Sequence, residues 1–227
     1  MKNIPIRKIN ATQKELIFSE SFSIRQVQEL LGGKDLVHEL HRHDFFFILA
    51  LQKGAGIHEI DFTHYDVHDN SIFILRPGQV HKLELNADST GFLMEFAPTF
   101  YHPNNNPSNQ RLSRASSKDF CELEAARHNK LLSLLSYIFN EYNEKREGYM
   151  EVIKANLEIF FIEFIRQSKN PHGASKAISA YSQERLEDFL ELLRTHITTH
   201  KQVSQYADLL NLSTYQLNAI TKATVDK

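Results

Sequence analysis

One change in hydrophobic period, about halfway along the chain, limits the fold more than any composition figure. Through the first 100 residues apolar side chains come in short runs, punctuated by Gly32, Gly33, Gly54, Gly56, Gly78 and Gly91. That is the pattern of strands joined by turns. The candidate strands are Val37 to His43, Phe45 to Leu51, Gly56 to Phe62, Ser71 to Leu75, His81 to Leu85 and Gly91 to Phe96. Six short strands at this spacing predict a small barrel or sandwich. Residues 103–118 hold turn formers and little apolar material, and read as a linker or exposed loop.

From Asp119 the spacing becomes helical. Leu131, Leu135, Ile138 and Tyr142 form one stripe; after a break at Gly148, Ile153, Leu157, Phe160, Phe161 and Phe164 form another. Two such helices with a short connection predict an antiparallel hairpin. The second also carries Ile159, Ile162 and Ile165, so it needs partners on more than one side. Packing on the barrel answers that need, and so does a homodimer contact through Leu131, Leu135, Ile138, Leu157, Phe161 and Phe164.

Residues 168–182 read as a second linker, with Pro171 and Gly173. Beyond it a helix is predicted from about Gln183 to Thr195, then two shorter ones separated by Asn211-Leu212-Ser213. Ser213 and Gln216 are spaced as a capping box, which starts the last helix just after the turn. Ala207 is a small residue where these helices must cross, as in a helix-turn-helix. The fold class expected is α+β: a barrel over 1–102, a helical hairpin over 119–167 and an all-α unit over 183–227.

Charge bears on partners. The whole chain of 227 residues has a formal net charge of −2, so no bulk attraction to nucleic acid or anionic membrane is expected. Residues 183–227 hold five Lys and Arg against six Asp and Glu. A lone cysteine, Cys121, fits a reducing compartment and reads as packing at a helix start. With no signal-like N-terminus and no apolar run of membrane length, a cytoplasmic protein with no membrane contact is expected. No nucleophile elbow, phosphate loop or carboxylate pair is present, and the chain is not expected to be an enzyme.

Histidine is the unusual residue: seven of 12 fall between positions 38 and 81. Residues two apart share a strand face, so His41, His43, Phe45, Phe47, Leu49 and Leu51 point one way, into the barrel. His81 opens a later strand after the turn Arg76-Pro77-Gly78. Three chemistries are open to His41, His43 and His81: hydrogen bonds to a polar effector beside apolar walls from Phe45, Phe47 and Phe73; ligation of zinc or iron; or mutual pairing inside a filled barrel. His58, His64 and His68 lie among Asp61, Asp66 and Asp69 and read as surface loop residues. Three positions before His41, His38 belongs on the opposite face of a regular strand.

The run Val203-Ser204-Gln205-Tyr206-Ala207-Asp208-Leu209-Leu210-Asn211-Leu212-Ser213-Thr214-Tyr215-Gln216-Leu217-Asn218 resembles the first helix-turn-helix of the AraC/XylS family of bacterial transcription regulators. Leu186 to Leu193 is similar to the helix that opens that family's DNA-binding domain. His41-Arg42-His43 and Arg76 to His81 resemble the two cupin motifs. The resemblance implies a cupin-like sensor barrel for a small-molecule effector, a hairpin used in homodimerisation and a DNA reader. Promoter DNA would meet Thr214, Tyr215, Gln216, Asn218 and Lys222, with Gln216 and Asn218 suited to adenine and Lys222 to phosphate or guanine. The family's second helix-turn-helix does not follow, so a truncated reader with weak DNA affinity is expected. Metal cupins carry glutamate four residues after the second histidine, where this chain has Phe47. No cofactor is therefore expected, and a metal-dependent dioxygenase or isomerase using His41, His43 and His81 is the alternative.

Overall fold

Apolar runs separated by glycine-bearing turns become ten strands among the described residues of this computed structural model, 4–9, 21–101, 106–167 and 180–225. The chain divides into two units, Met1–Lys169 and Asn170–Lys227. The first holds two five-stranded sheets. Sheet A runs β1 (Ile6–Arg7), β3 (Leu36–His43), β8 (Val80–Leu85), β5 (Gly56–Ile60) and β6 (Thr63–Val67); sheet B runs β10 (Phe120–Glu122), β7 (Ser71–Leu75), β4 (Phe46–Lys53), β9 (Thr90–Phe96) and β2 (Phe22–Gln26). All pairs are antiparallel except β1 with β3. A short helix, α1 (Val27–Leu31), follows β2 and ends at Gly32 in the left-handed conformation. The arrangement is a mixed α+β fold built on two five-stranded sheets.

Two glycines are required by the sheets. A Cβ on Gly56 would lie 2.0 Å from the Glu84 carbonyl oxygen, and one on Gly91 would lie 2.1 Å from that of Ala50. Both have φ near +145°, open to glycine and strained for other residues.

Strand parity splits the apolar side chains of sheet B into two cores. Phe47, Leu49, Leu51, Phe73, Leu75 and Leu93 face the barrel interior with Val27, Phe45, Ile60 and Leu85. Ile48, Ala50, Ile72, Ile74, Met94 and Phe96 face outward and are covered by α3 (Ala125–Glu144) and α4 (Tyr149–Gln167). Strand β7 is buried at all five positions for this reason.

The hairpin is as expected, but its dimer assignment needs correction. Leu131, Leu135, Ile138, Leu157, Phe161 and Phe164 are all buried in the outward core of their own chain, so they face sheet B and not a second copy. The large apolar side chains that the hairpin exposes are Tyr137 and Ile159.

The stretch expected as a linker at 103–118 contains α2 (Asn106–Ala115). Leu112 and Ala115 are enough apolar surface to seat it in the outward core, and Arg111 pairs with Glu158 of α4. Cys121 lies in β10, opposite Ile72 of β7, and not at a helix start. No helix among the described residues is long and apolar enough to cross a membrane.

The second unit comprises α5 (Ala180–His196), α6 (Val203–Leu209) and α7 (Thr214–Val225). Its core is Tyr206, Ala207, Leu210 and Leu217, flanked by Phe189, Leu192, Leu193 and Leu212. Ala207 is buried as the close crossing requires. The Ser213 backbone N–H donates to Gln216 Oε1 at 2.8 Å and the Gln216 N–H to Ser213 Oγ at 3.2 Å, which completes the predicted capping box. A second box, Gln202 with Gln205, starts α6. Helix α5 begins at Ala180, inside the predicted linker 168–182, whose residues 168–179 lie outside the described ones.

Candidate functional site

Five of the seven clustered histidines converge inside sheet A. Strand β3 carries His38, His41 and His43, β8 carries His81 and β5 carries His58, and the register sets His41 opposite His81. His43 Nε2 lies 2.6 Å from His81 Nε2, and His58 Nε2 lies 2.9 Å from His81 Nδ1. A neutral His81 has one ring proton, so it donates at one nitrogen and accepts at the other. His41 Nδ1 donates to the Glu39 carbonyl oxygen at 2.6 Å.

Burial keeps these rings uncharged at neutral pH. It is the first cause of the lowered pKa of each, with nearby cationic groups and neighbouring histidines adding to it. His43 and His58 fall to about 3 and His38 to about 4. His81 is also pushed down by burial and by His58 and His43. His41 falls through burial, opposed by its hydrogen bond to Glu39.

Two expectations fail here. His58 is not a loop residue: it lies in β5, is 0% exposed and in phase with buried Ile60, while Ile57 before it is turned outward. Nor is His38 on the far face. A register shift between His38 and His41 adds one residue to β3 relative to β8, which reverses parity and sets the His38 ring 5.7 Å from that of His41. His64 and His68 are exposed, as expected, but His64 lies in strand β6 and not in a loop.

Beside the cluster is a cavity of about 370 Å³. Its apolar wall is Leu30, Phe45, Phe47 and Leu93; its polar wall is Arg7, Lys8, Arg25, His38 and Glu95, with His43 between. Arg25 Nη2 donates to Glu95 Oε2 at 2.8 Å, while burial pushes the Glu95 carboxyl up from its ordinary pKa. Of the residues expected to contact an effector, His43, Phe45 and Phe47 line this cavity. His41, Phe73 and His81 are buried behind it, with Phe73 packed on His58 and Phe120. Sequence reasoning missed the charged wall. Its signal was Arg25 and Glu95, opposite charges in the inward phase of strands whose neighbours Ile24, Met94 and Phe96 face the outward core.

As a metal set, His41, His43 and His81 each offer one ring nitrogen, all within 4.8 Å of one another. His41 Nε2 is buried with no hydrogen-bond partner. The donor chemistry fits zinc or iron(II), and Phe47 stands where a carboxylate ligand would have been.

The family model for the AraC-like ligand-binding domain matches residues 31–157. This chain belongs to the AraC-like family. The match covers β3 to β9, α3 and half of α4, so the histidine cluster lies inside the AraC-like region. Among solved structures, ToxT from Vibrio cholerae strain SCE256 with an unsaturated fatty acid bound is 14% identical, covering 90% of this chain and 74% of ToxT, with a TM-score of 0.42. The AraC-like transcriptional activator CuxR is 12% identical over 89% of this chain and 67% of its own, TM-score 0.35. A cupin protein from Bacteroides fragilis is 17% identical over 46% of this chain and 93% of its own, TM-score 0.26. No curated protein sequence matches.

In the second unit of this AraC-like chain, Thr214, Tyr215, Gln216, Asn218 and Lys222 are all exposed on α7, with Tyr215 82% exposed. Gln216 differs from the others. Its Oε1 accepts from the backbone N–H and hydroxyl of Ser213, so it is held by the cap and cannot turn that oxygen to an adenine.

Proposed function

We propose that the chain is a ligand-sensing transcription regulator whose barrel takes a small organic anion with an apolar body and whose α7 contacts DNA. The cavity carries the sensing half of this reading. Three cations, Arg7, Lys8 and Arg25, stand against one carboxylate, Glu95, at one wall, while Phe45, Phe47, Leu30 and Leu93 form the other. Because His38 and His43 are neutral there, the excess positive charge belongs to the arginines and the lysine. A carboxylate head with an aliphatic or aromatic body matches both walls.

Decanoate and decanol differ in that head alone, and titration calorimetry with the full chain separates them. Decanoate is expected to bind at least tenfold more tightly, which is about 1.4 kcal/mol, and the R7A/K8A double variant to lose that preference. Equal binding of the two would refute an anion site.

Exposure of Thr214, Tyr215, Asn218 and Lys222 supports α7 as the reading helix. With five cations against six anions in residues 183–227, phosphate attraction is slight and affinity for non-specific duplex is low. Lys222→Ala is expected to weaken duplex binding and reduce the slope of log affinity against log salt by about 1. An unchanged slope in anisotropy titrations would place the phosphate contact elsewhere. For the effector to regulate, it must favour one of two states of the protein by about 1–3 kcal/mol, read as a change in DNA affinity on adding decanoate.

A further inference from the structure

We propose that His41, His43 and His81 bind one divalent transition-metal ion inside the barrel, of the zinc or iron(II) class that an all-imidazole set suits. The proton on His41 is the starting point. Its Nδ1 faces a carbonyl oxygen, which can only accept, so Nδ1 holds the proton and Nε2 keeps a bare lone pair. That lone pair is buried without a hydrogen-bond partner on a side chain 1% exposed. A cation satisfies it directly.

His81 presents Nε2 in one of its two neutral tautomers. With its Nδ1 proton directed at His58 Nε2, 2.9 Å away, its Nε2 lone pair points at His43 Nε2, 2.6 Å away. Two imidazole nitrogens this close need a proton or a cation between them. Nitrogens about 2.0–2.1 Å from a tetrahedral ion stand about 3.3 Å apart. Metal entry therefore parts His43 from His81 by less than about 1 Å and draws in the His41 nitrogen, which lies within 4.8 Å of the other two.

His58 does not reach the ion and acts as a positioning residue. Once an ion takes His81 Nε2, the remaining His81 proton sits on Nδ1 and His58 Nε2 accepts it, which orients the ring. No fourth protein ligand is present among the described residues, since the Phe47 ring lies 5.5 Å from that of His43 and 5.2 Å from that of His81. The fourth, tetrahedral position is left to water or another small ligand. The inference does not depend on the effector reading, because the ion is measured with no effector present.

The test uses the full chain without an affinity tag, freed of metal with a chelator and titrated with Zn²⁺ alone against a chromophoric competitor. One ion per chain is expected. His41→Ala should lower affinity at least 100-fold and His58→Leu by 10–100-fold. The H196A/H200A variant removes a ring pair 5.1 Å apart in the second unit and should leave the tight site intact. Absence of stoichiometric binding overturns the proposal, and so does binding that survives His41→Ala but is lost in H196A/H200A. If His41→Ala does not fold, Co²⁺ in the unaltered chain decides: intense visible bands of low coordination number support the site, and a pale six-coordinate spectrum overturns it.

Discussion

Lowering the pH from 7 to 5 is expected to remove at least about 4 kcal/mol from the stability of the metal-free barrel unit. His43 and His58 have folded pKa values of about 3 against an ordinary 6.5, because burial disfavours their charged forms. The unfolded chain therefore binds protons that the folded one refuses, and stability falls as pH drops through 6.5. Each ring contributes about 2 kcal/mol by pH 5, and the loss levels off only below about pH 3. Against a typical domain stability of roughly 5–15 kcal/mol this is a large fraction. The urea midpoint should drop by more than about 1 M between pH 7 and pH 5, and His58→Leu should lose part of that acid response, the rest staying with His38, His41, His43 and His81. A midpoint that stays constant over this range would show that the rings are solvated or charged in the native state.

Phe161→Ala is expected to cost about 3–5 kcal/mol. Its ring is 0% exposed and lies 6.2 Å from Phe96 of sheet B, 5.5 Å from Tyr101 and 5.6 Å from Phe160 of its own helix. It is thus a main contact between the hairpin and the outer face of sheet B. Melting should fall by about 6–20 °C, to the same extent at all protein concentrations. The concentration dependence separates this account from a dimer contact at Phe161. An interface residue would change the association constant and leave the melting of the dilute monomer nearly untouched.

Much of the barrel could be read directly from residues. Alternation in His41 to Leu51 correctly turned His43, Phe45 and Phe47 inward, since a two-residue period leaves no other assignment when one face is buried. His38 could not be placed that way, because the bulge after it depends on which residue of β8 it meets and not on any signal in β3. His58 was legible in principle: Gly56, His58 and Ile60 share a phase, but the surrounding Asp and His residues imitate a loop. Helix α2 escaped notice because only Leu112 and Ala115 seat it, too few for a period to show. Arg7 and Lys8 reach the cavity through the parallel pairing of β1 with β3, a contact across more than thirty positions that no local pattern encodes.

Sheet B has no solvent-facing side from Phe47 to Leu51 of β4 and along β7: Phe47 borders the cavity and Leu49 the inner core, while Phe46, Ile48 and Ala50 touch the hairpin core. The partition between what enters the barrel and what the helices feel is therefore one peptide layer thick. Neighbouring residues on a strand are joined through a stiff backbone, so an occupant that displaces the Phe47 ring cannot avoid pressing on the seats of Ile48 and Phe46. A message from the barrel to the hairpin needs no moving loop and no long relay. It requires only that the same strand be squeezed from one side and released on the other.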